Sequence, residues 1–287
     1  MKILNFGSIN KDFVYLVDDF VQPGETISSN RHDIFLGGKG LNQSVALAHA
    51  GVSIYHAGCI DKKDSSIINE LNNWSVNTEN ILGLEKPTGH AIIQVNKKGE
   101  NSIIIHGGTN HSITSHQIDS CLKKFGIGDI LVLQNEINNI EEIIDKAYKK
   151  GMKIFFNPAP FSKKILNYPL NKVHTIIFNQ SEGNGLSMGV NTPKKILEII
   201  SKKYPSSNLL ITLGEKGSIF KNKKNIIRTD AVQVKTIDTT AAGDTYIGYY
   251  IASFSKNQSI RNCMKIASLA ASITVTKIGG AISIPKL

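Results

Sequence analysis

Apolar runs of strand length alternate with amphipathic segments of helix length along most of the chain. The apolar runs predict strands over residues 3–7, 53–59, 130–135, 153–159, 175–179 and 209–214. The spacing of apolar positions predicts helices over residues 40–50, 64–73, 115–124, 139–150, 193–204, 242–254 and 258–276. Strands that alternate with helices are typical of βαβ units. The pattern therefore predicts an α/β fold, with a mostly parallel sheet flanked by helices.

Two stretches depart from this alternation because they contain extended segments and no predicted helix. Residues 12–36 hold two extended runs around a Pro-Gly turn, and residues 89–107 form a hairpin whose strands meet at KKGE. We expect these pieces to form a small second sheet, which covers one end of the main sheet as a lid.

A further hairpin over 217–229 is expected at the opposite end, and GNGLSMG (183–189) is interpreted as a loop between two helices. No segment has the composition of a linker, so residues 1–287 are predicted to form one domain with this lid.

The composition narrows the class of protein further. The chain has 33 Lys+Arg and 23 Asp+Glu, a formal net charge of +10, but only three arginines. Arginine suits phosphate and base recognition, and basic patches interleaved with aromatic residues are missing, so we expect a lysine-rich surface and no nucleic-acid partner.

No apolar run approaches the roughly 20 residues that cross a bilayer, and the first residues lack a signal-peptide segment. Three widely spaced cysteines fit reduced thiols, so a cytoplasmic location without a membrane partner is expected.

The run VKTIDTTAAGDTYIGYYIAS (234–253) carries the strongest chemical signal. Its small residues predict a turn that opens directly into a helix, where free N–H groups and the helix dipole attract an anion. Asp244 lies within this turn. A carboxylate there can take a proton from an attacking hydroxyl while the N–H groups hold charge on a phosphoryl group. The alternative is an ordinary aspartate at a helix N-terminus.

A second signal is FLGGKGLNQSVALAHAG (35–51), in which a glycine-rich turn precedes an amphipathic helix. Glycines let a ligand approach the backbone, and Lys39 and Asn42 supply donors at the mouth of the turn. The segment is neither a Walker A motif nor a dinucleotide fingerprint, because it lacks the GK[ST] ending and no GxGxxG follows the first strand. A tight turn without a ligand is an equal alternative.

Polar residues recur just beyond the predicted strand ends. They are Asn10, Asp12, Glu136, Asn157, Asn179, Glu182, Thr212 and Gly214. In an open parallel sheet the ligand crevice lies outside the carboxyl ends of the strands, so this placement favours a binding site there. Histidines at 106 and 111 flank GGTN, but no spacing typical of a metal site accompanies them.

Taken together, these segments closely resemble the ribokinase family within the PfkB group of carbohydrate and nucleoside kinases. The matching motifs are GSINKD (7–12), GGKGLNQSVALA (37–48), PTGHAIIQVN (87–96), NPAP (157–160), TLGEKG (212–217) and DTTAAGDTYIG (238–248). They occur in order over nearly the whole chain. The resemblance implies a Rossmann-like domain whose β-sheet lid pairs subunits into a homodimer. It also implies ATP with Mg²⁺ as phosphoryl donor, a sugar as acceptor and activation by a monovalent cation, K⁺.

The resemblance also implies roles for individual residues. Asp244 would be the general base, within an anion hole formed by Ala241, Ala242, Gly243 and Asp244. The sugar would be held by Asn10, Lys11, Asp12, Gly38, Lys39, Gly40, Leu41, Asn42, Glu136 and Asp244. The nucleotide would be held by Asn179, Thr212, Leu213, Gly214, Glu215, Lys216, Gly217, Gly243, Asp244 and Ser268. The monovalent cation would be held by Asp238, Thr240, Thr274, Lys277, Gly279 and Ser283, mainly through backbone oxygens, with Glu182 near Mg²⁺.

The chain departs from the family pattern in three places. Acidic residues that usually follow NxxE are replaced in NQSEGNGLSMG, and CIDKKDSSI (59–67) replaces a Gly-Asp-x-x-Gly segment. Ser268 stands where an asparagine or histidine is frequent beside the adenine. Neither of the last two changes, in CIDKKDSSI and at Ser268, removes a group that phosphoryl transfer needs.

The expected function is ATP-dependent phosphorylation of the primary hydroxyl of a pentose, D-ribose at O5. Within the same reaction class, the alternatives are another sugar such as fructose or deoxyribose, or a nucleoside. From other classes come a sugar-binding relative without catalysis and a nucleic-acid-binding protein. Specificity is expected to depend on lid side chains such as His90, Ile92 and Asn110.

Overall fold

Alternating strands and helices build the molecule, and the computed structural model describes residues 1–287. The strands are β1 (Ile3–Phe6), β2 (Asn10–Leu16), β3 (Arg31–Gly37), β4 (Ile54–Asp61), β5 (Asn77–Leu84), β6 (Gly89–Val95), β7 (Asn101–His106), β8 (Ile130–Gln134), β9 (Lys153–Asn157), β10 (Thr175–Asn179), β11 (Asn208–Thr212), β12 (Ser218–Lys221) and β13 (Ile226–Thr229). The helices are α1 (Lys39–His49), α2 (Ser66–Asn73), α3 (Ser115–Leu122), α4 (Ile140–Lys149), α5 (Gln180–Leu186), α6 (Pro193–Lys203), α7 (Ala242–Ser255) and α8 (Ile260–Thr274). Every predicted helix is present, with ends within two residues of those expected.

Nine strands form the main sheet, in the order β13-β12-β11-β10-β9-β8-β1-β4-β5. The strands from β11 to β5 are parallel, whereas β12 and β13 continue the sheet antiparallel at one edge. The predicted hairpin over 217–229 is therefore part of the main sheet. The chain runs from β1 to one side and returns to β8 on the other, so the strand order reverses between β1 and β8. Ligand crevices of open α/β sheets lie at such a switch point.

The core lies on both faces of the main sheet because alternate strand residues point in opposite directions. Ile3 of β1 joins a cluster with residues of α1, α2, α7 and α8, while its neighbour Leu4 joins a cluster with residues of α3, α4, α5 and α6. Strands buried on both faces explain the continuous apolar runs of the sequence. None of the helices combines the length and apolarity needed to span a bilayer.

Two elements were not predicted. Strand β5 (NTENILGL) is polar over its first half and pairs only with β4, at the edge of the sheet, so it lacks a long apolar run. Helix α5 includes Gly183 and Gly185, so the prediction of a loop over 183–189 was wrong for residues 183–186. A Cβ on Gly183 would press on Phe178 and Ile196, and one on Gly185 would meet the Phe161 ring. These glycines therefore serve close packing within a helix.

The small sheet has the order β3-β2-β6-β7, which confirms a second sheet built from the two predicted stretches. Its strands cover residues 10–16, 31–37, 89–95 and 101–106, and residues 17–30 contain neither strand nor helix. The register places Asp12 beside Phe35 and Ala91, with Ile105 opposite Ala91, so these four side chains share one face. The same register places Phe13, Ile34, Ile92 and Ile104 on the other face.

Candidate active site

At the switch point of the main sheet, Glu136, which follows β8, accepts hydrogen bonds from two neighbouring segments. Ser8, which follows β1, donates its hydroxyl to Glu136 Oε2 at 2.5 Å, and the backbone N–H of Lys39 donates to the same oxygen at 2.9 Å. The carboxylate thus fixes the start of α1 against the ends of β1 and β8. Glu136 Oε1 receives no hydrogen bond from the protein, so it can accept one from a ligand hydroxyl.

The first turn of α1 packs directly on the backbone that leaves β1. The N–H groups of Gly40 and Leu41 donate to the Ser8 hydroxyl at 3.1 Å and to the Ser8 carbonyl at 2.9 Å. A Cβ on Gly40 would collide with the backbone of Gly7 and Ser8. The glycine-rich turn therefore serves close approach of backbone to backbone at this point.

Asp244 lies in the first turn of α7 and is 7% exposed. Its Oδ2 accepts a hydrogen bond from Asn42 Nδ2 at 3.0 Å, and its Oδ1 accepts one from Gln43 Nε2 at 2.9 Å. The turn before it is held by Ala241, whose backbone is left-handed with φ 59°. The two strongest sequence signals, around residues 38–42 and 241–244, therefore meet in one site.

Beneath Asp244 lies a row of buried amides that the sequence reasoning did not identify. Gln134 Nε2 donates to Gln43 Oε1 at 2.7 Å and to Asn5 Oδ1 at 3.0 Å. Asn5 Nδ2 in turn donates to the Gly40 carbonyl at 2.7 Å and to the Ser44 hydroxyl at 2.9 Å. The available signal was the presence of polar Asn5 and Gln134 inside two otherwise apolar strands.

Asp12 enters the site from the small sheet. Burial and the nearby Glu136 carboxylate raise its pKa to about 6, against the opposing charge of Lys39. Its neighbour Lys11 does not join the site, because successive strand residues face opposite ways. The Lys11 ammonium pairs instead with Asp64 at 2.7 Å on the other face of the sheet. The assignment of Lys11 to the sugar site thus lacks support from its side chain.

Of the residues expected to set specificity, His90 and Ile92 need the same correction. His90 and Ile92 flank Ala91 in β6 and therefore face away from Asp12. Asn110 uses its side chain internally: Oδ1 accepts from the Ile9 N–H at 3.0 Å, and Nδ2 donates to Asn10 Oδ1 at 2.7 Å. Ala91 and Ile105, rather than His90 and Ile92, share the face of the small sheet that carries Asp12.

Lys39 is the cation of the site. Its pKa is raised chiefly by Asp244 and also by Glu136, Glu182 and Asp12, while burial opposes this shift. Burial raises the pKa of Glu136, which Lys39 and the Ser8 hydrogen bond partly offset. Several carboxylates thus surround one lysine. The site therefore offers a bound anion a single ammonium group, that of Lys39.

A cleft of about 550 Å³ opens beside Lys39 toward α5. Asn179 and Glu182 form a capping box at the start of α5: Asn179 Oδ1 accepts from the Glu182 N–H, and Glu182 Oε2 accepts from the Asn179 N–H, both at 2.9 Å. Burial raises the pKa of Glu182. The cleft is lined by Lys39, Ala159, Pro160, Phe161, Asn179, Ser181, Glu182, Asn184 and Gly185.

The residues assigned to the nucleotide lie near the ends of β10 and β11 and along α8. Thr212 ends β11, and residues 213–217 form a tight turn closed by the Leu213 N–H, which donates to the Gly217 carbonyl at 2.8 Å. Gly217 has φ 81°, and a Cβ there would strike the Thr229 carbonyl. Ser268 in α8 donates to the Asp230 carbonyl at 3.4 Å, which places it next to the end of β13.

Of the residues assigned to the monovalent cation, Thr240 and Gly279 contact Asp238. Its Oδ2 accepts from the Gly279 N–H at 3.0 Å and its Oδ1 from the Thr240 N–H at 2.8 Å. The Thr274 hydroxyl donates to Thr245 at 3.0 Å, directly after Asp244. The Asp238 carboxylate, although both of its oxygens accept from backbone N–H groups, is a ligand type that suits a hard cation.

The geometry as a whole suits proton abstraction beside an anion site. A buried carboxylate at a helix N-terminus adjoins one lysine, and three further carboxylates act on the same lysine. Asn42 Oδ1 is buried without a hydrogen-bond partner, as expected of a group that waits for a ligand donor. A polyhydroxylated molecule can satisfy these acceptors, and an anion can lie at the turn before α7.

The model of the pfkB family of carbohydrate kinases matches residues 1–287. A ribokinase of Haemophilus influenzae is 33% identical over 97% of this chain and 94% of its own length. A deoxyribokinase of Salmonella typhi is 28% identical over 100% of this chain and 96% of its own length. The solved structure of Arabidopsis thaliana ribokinase complexed with ribose and ATP superposes with a TM-score of 0.86 at 25% identity, covering 99% of this chain and 96% of that one.

Proposed function

Because the chain belongs to the pfkB family of carbohydrate kinases, we propose that it transfers the γ-phosphoryl group of ATP to the primary hydroxyl of D-ribose, giving D-ribose 5-phosphate. The observation that carries the proposal is Asp244, held by Asn42 and Gln43 at the N-terminus of α7 and next to Lys39. The chain is a phosphotransferase that acts on an alcohol group, as are the ribokinases that it resembles.

Asp244 acts as the general base in this proposal. It takes the proton of the sugar hydroxyl, while the N–H groups of the Ala241–Asp244 turn stabilise negative charge on the transferred group. Lys39 adds a positive charge on the same side. These contributions need a site from which water is excluded, because water would otherwise compete as acceptor.

The sugar is held by acceptors and donors from both sheets. Asp12 and Asn10 approach from the small sheet, Glu136 offers its free Oε1, and Gly38 to Asn42 line the start of α1. We treat residues 1–287 as one domain. Within it, we assign the small sheet the role of a lid, since its Asp12 face turns toward Glu136 and Lys39.

The nucleotide lies along the ends of β10 and β11 in this proposal. Asn179, the turn from Thr212 to Gly217, Gly243 and Ser268 hold it, and its phosphates reach the cleft beside Lys39. Mg²⁺ would bind with the phosphates, whose oxygens are ligands it prefers, and Glu182 would lie close to it. Asp238 would help to hold K⁺, which would supply positive charge beside the Ala241–Asp244 turn.

Two properties of the whole protein complete the proposal. The protein acts in the cytoplasm, in keeping with three buried free cysteines at 59, 121 and 263. It forms a homodimer through the small sheet, whose edge strand β7 exposes Ile103, Ile104 and Ile105 at 48%, 65% and 57%. Unpaired strand edges and exposed apolar patches are surfaces that proteins cover.

Deoxyribose is the second candidate because a deoxyribokinase matches the whole chain. The two sugars differ by the 2-hydroxyl. A site built to receive hydroxyl donors discriminates strongly against a substrate that lacks one, since a buried acceptor then stays unpaired. The carboxylates of Asp12 and Glu136 and the unpartnered Asn42 Oδ1 favour the sugar with more hydroxyls.

Steady-state kinetics with a panel of acceptors tests the proposal. The purified protein, ATP, Mg²⁺ and K⁺ are combined with D-ribose, 2-deoxy-D-ribose, D-fructose or a nucleoside, and ADP release is measured against a control without acceptor. We expect the highest kcat/KM for D-ribose and slow ADP release in the control. A higher kcat/KM for another acceptor would replace ribose, and acceptor-independent ADP release would overturn the proposed kinase activity.

A further inference from the structure

The buried amides beneath Asp244 form a row with a fixed direction. The Gly40 carbonyl can only accept a hydrogen bond, so Asn5 must turn its Nδ2 toward it, at 2.7 Å. Asn5 then presents Oδ1 to Gln134, which must answer with Nε2, at 3.0 Å. The orientation of each amide is therefore dictated by its neighbour.

The row of oriented amides continues to the Asp244 carboxylate. Gln134 Nε2 also donates to Gln43 Oε1 at 2.7 Å, so Gln43 has its oxygen engaged and turns Nε2 toward Asp244 Oδ1, at 2.9 Å. Gln43 and Gln134 are 0% and 1% exposed, so water does not compete for these bonds. Gln134 Oε1 remains buried without a partner, which shows that the orientation is kept although one acceptor is left unsatisfied.

We infer that Gln43 is a positioning residue for the general base, with Gln134 fixing the direction in which it donates. This inference rests on the proposed function. Asn42 holds one oxygen of Asp244 and Gln43 the other, so the two bonds together set the rotation of the carboxylate. Rotation matters because proton transfer requires the accepting lone pair to point at the sugar hydroxyl.

The pH profile of kcat separates positioning from a purely structural role. Charged groups that face Asp244 are Lys39, Glu136 and Glu182, and all of them remain when Gln43 is replaced. A carboxylate that loses a hydrogen-bond donor keeps its proton to higher pH. In Gln43→Met we therefore expect a kcat about tenfold lower, an acid limb displaced to higher pH and a KM for ribose within about threefold of wild type.

Gln43→Glu has the shape of the native side chain and keeps the test open if Gln43→Met fails to fold. Its carboxyl group can donate to Asp244 only while it keeps its proton. Turnover relative to wild type should therefore fall as the pH rises, opposite to the trend of Gln43→Met. Gln117→Met is the matched control, since Gln117 is a buried glutamine whose side chain bonds to Gly58 and Cys59. It should match the wild-type pH profile.

The outcomes divide clearly. A wild-type enzyme that phosphorylates ribose, together with Gln43 variants whose kcat and pH profile match it, would overturn the positioning role and leave the proposed function in place. A wild-type protein that transfers phosphate to no acceptor would overturn both. Opposite pH trends in the two Gln43 variants, with Gln117→Met unchanged, would establish the inference.

Discussion

At the scale of single residues, the site is organised around one lysine shared by several carboxylates. The pKa of Lys39 is raised by Asp244, Glu136, Glu182 and Asp12, and burial raises the pKa values of the last three. The acids have different positions, since Asp244 lies in the first turn of α7, Glu136 fixes α1, and Asp12 comes from the small sheet. The protonation states of Glu136, Glu182 and Asp12 are therefore coupled to ligand binding.

Ribose affinity is expected to fall as the pH drops through about 6. A carboxylate accepts hydroxyl hydrogens best when ionised, and the pKa of Asp12 is raised to about 6, so below that pH the sugar competes with a proton. Titration calorimetry from pH 5 to pH 8 should show weakening that approaches tenfold per pH unit below pH 6. In Asp12→Asn the component near pH 6 should disappear, whereas Asp64→Asn, outside the site, should retain it. An affinity of the wild type that is constant from pH 5 to pH 7 contradicts this role of Asp12.

At the scale of elements, the start of α1 shows what sequence can and cannot predict. The glycine-rich turn, the helix after it and the apolar strands were all predicted, because turn chemistry and periodicity are local signals. The partners of Ser8 and Gln43 were not predicted, although both lie within recognised motifs, since Glu136 and Gln134 lie more than 90 residues away. The strand register determines on which face of the small sheet Lys11, His90 and Ile92 lie. Periodicity alone does not give that register.

Gly40→Ala should destabilise the protein and lower its activity. Its Cβ would meet the backbone of Gly7 and Ser8, which cannot move as a flexible side chain could, so α1 must shift with Asn42 and Gln43. We expect the free energy of unfolding in urea to fall by about 1–3 kcal/mol, with a lower kcat. Gly126→Ala is the control, because a Cβ there has no neighbour within 4 Å. Equal stability of the two variants would show that the close approach at Gly40 is unimportant.

At the scale of the whole molecule, the two sheets divide the work. The main sheet, buried on both faces, fixes the positions of Ser8, Glu136 and the start of α7. The small sheet contributes Asp12 from one face but exposes isoleucines in β7, which a monomer leaves in water. The sequence predicted this second sheet from the missing helices, yet which isoleucines stay exposed depends on the assembled fold.

A dimer through the small sheet should depend on the apolar side chains of β7. In Ile103→Glu/Ile104→Glu, two charges replace apolar groups on opposite faces of the edge strand, so association should be lost. Sedimentation equilibrium should give a dimer for the wild type and a monomer for this variant. Ile127→Glu, at a position 93% exposed outside the small sheet, should remain a dimer. A β7 variant that stays dimeric would show that the contact lies elsewhere. A monomeric wild type would show that the proposed dimer does not form.

Identification of the product formed by the wild type and by Asp244→Asn tests both the transfer to O5 and the role of Asp244 as the base. Phosphorus NMR of a reaction with D-ribose, ATP, Mg²⁺ and K⁺ should show phosphate on O5 in the wild type. Asp244→Asn should slow its formation by about 10²–10⁴-fold, the usual contribution of a general base, while ribose binding by calorimetry persists. Wild-type turnover in Asp244→Asn, or phosphate on another hydroxyl, would contradict the account.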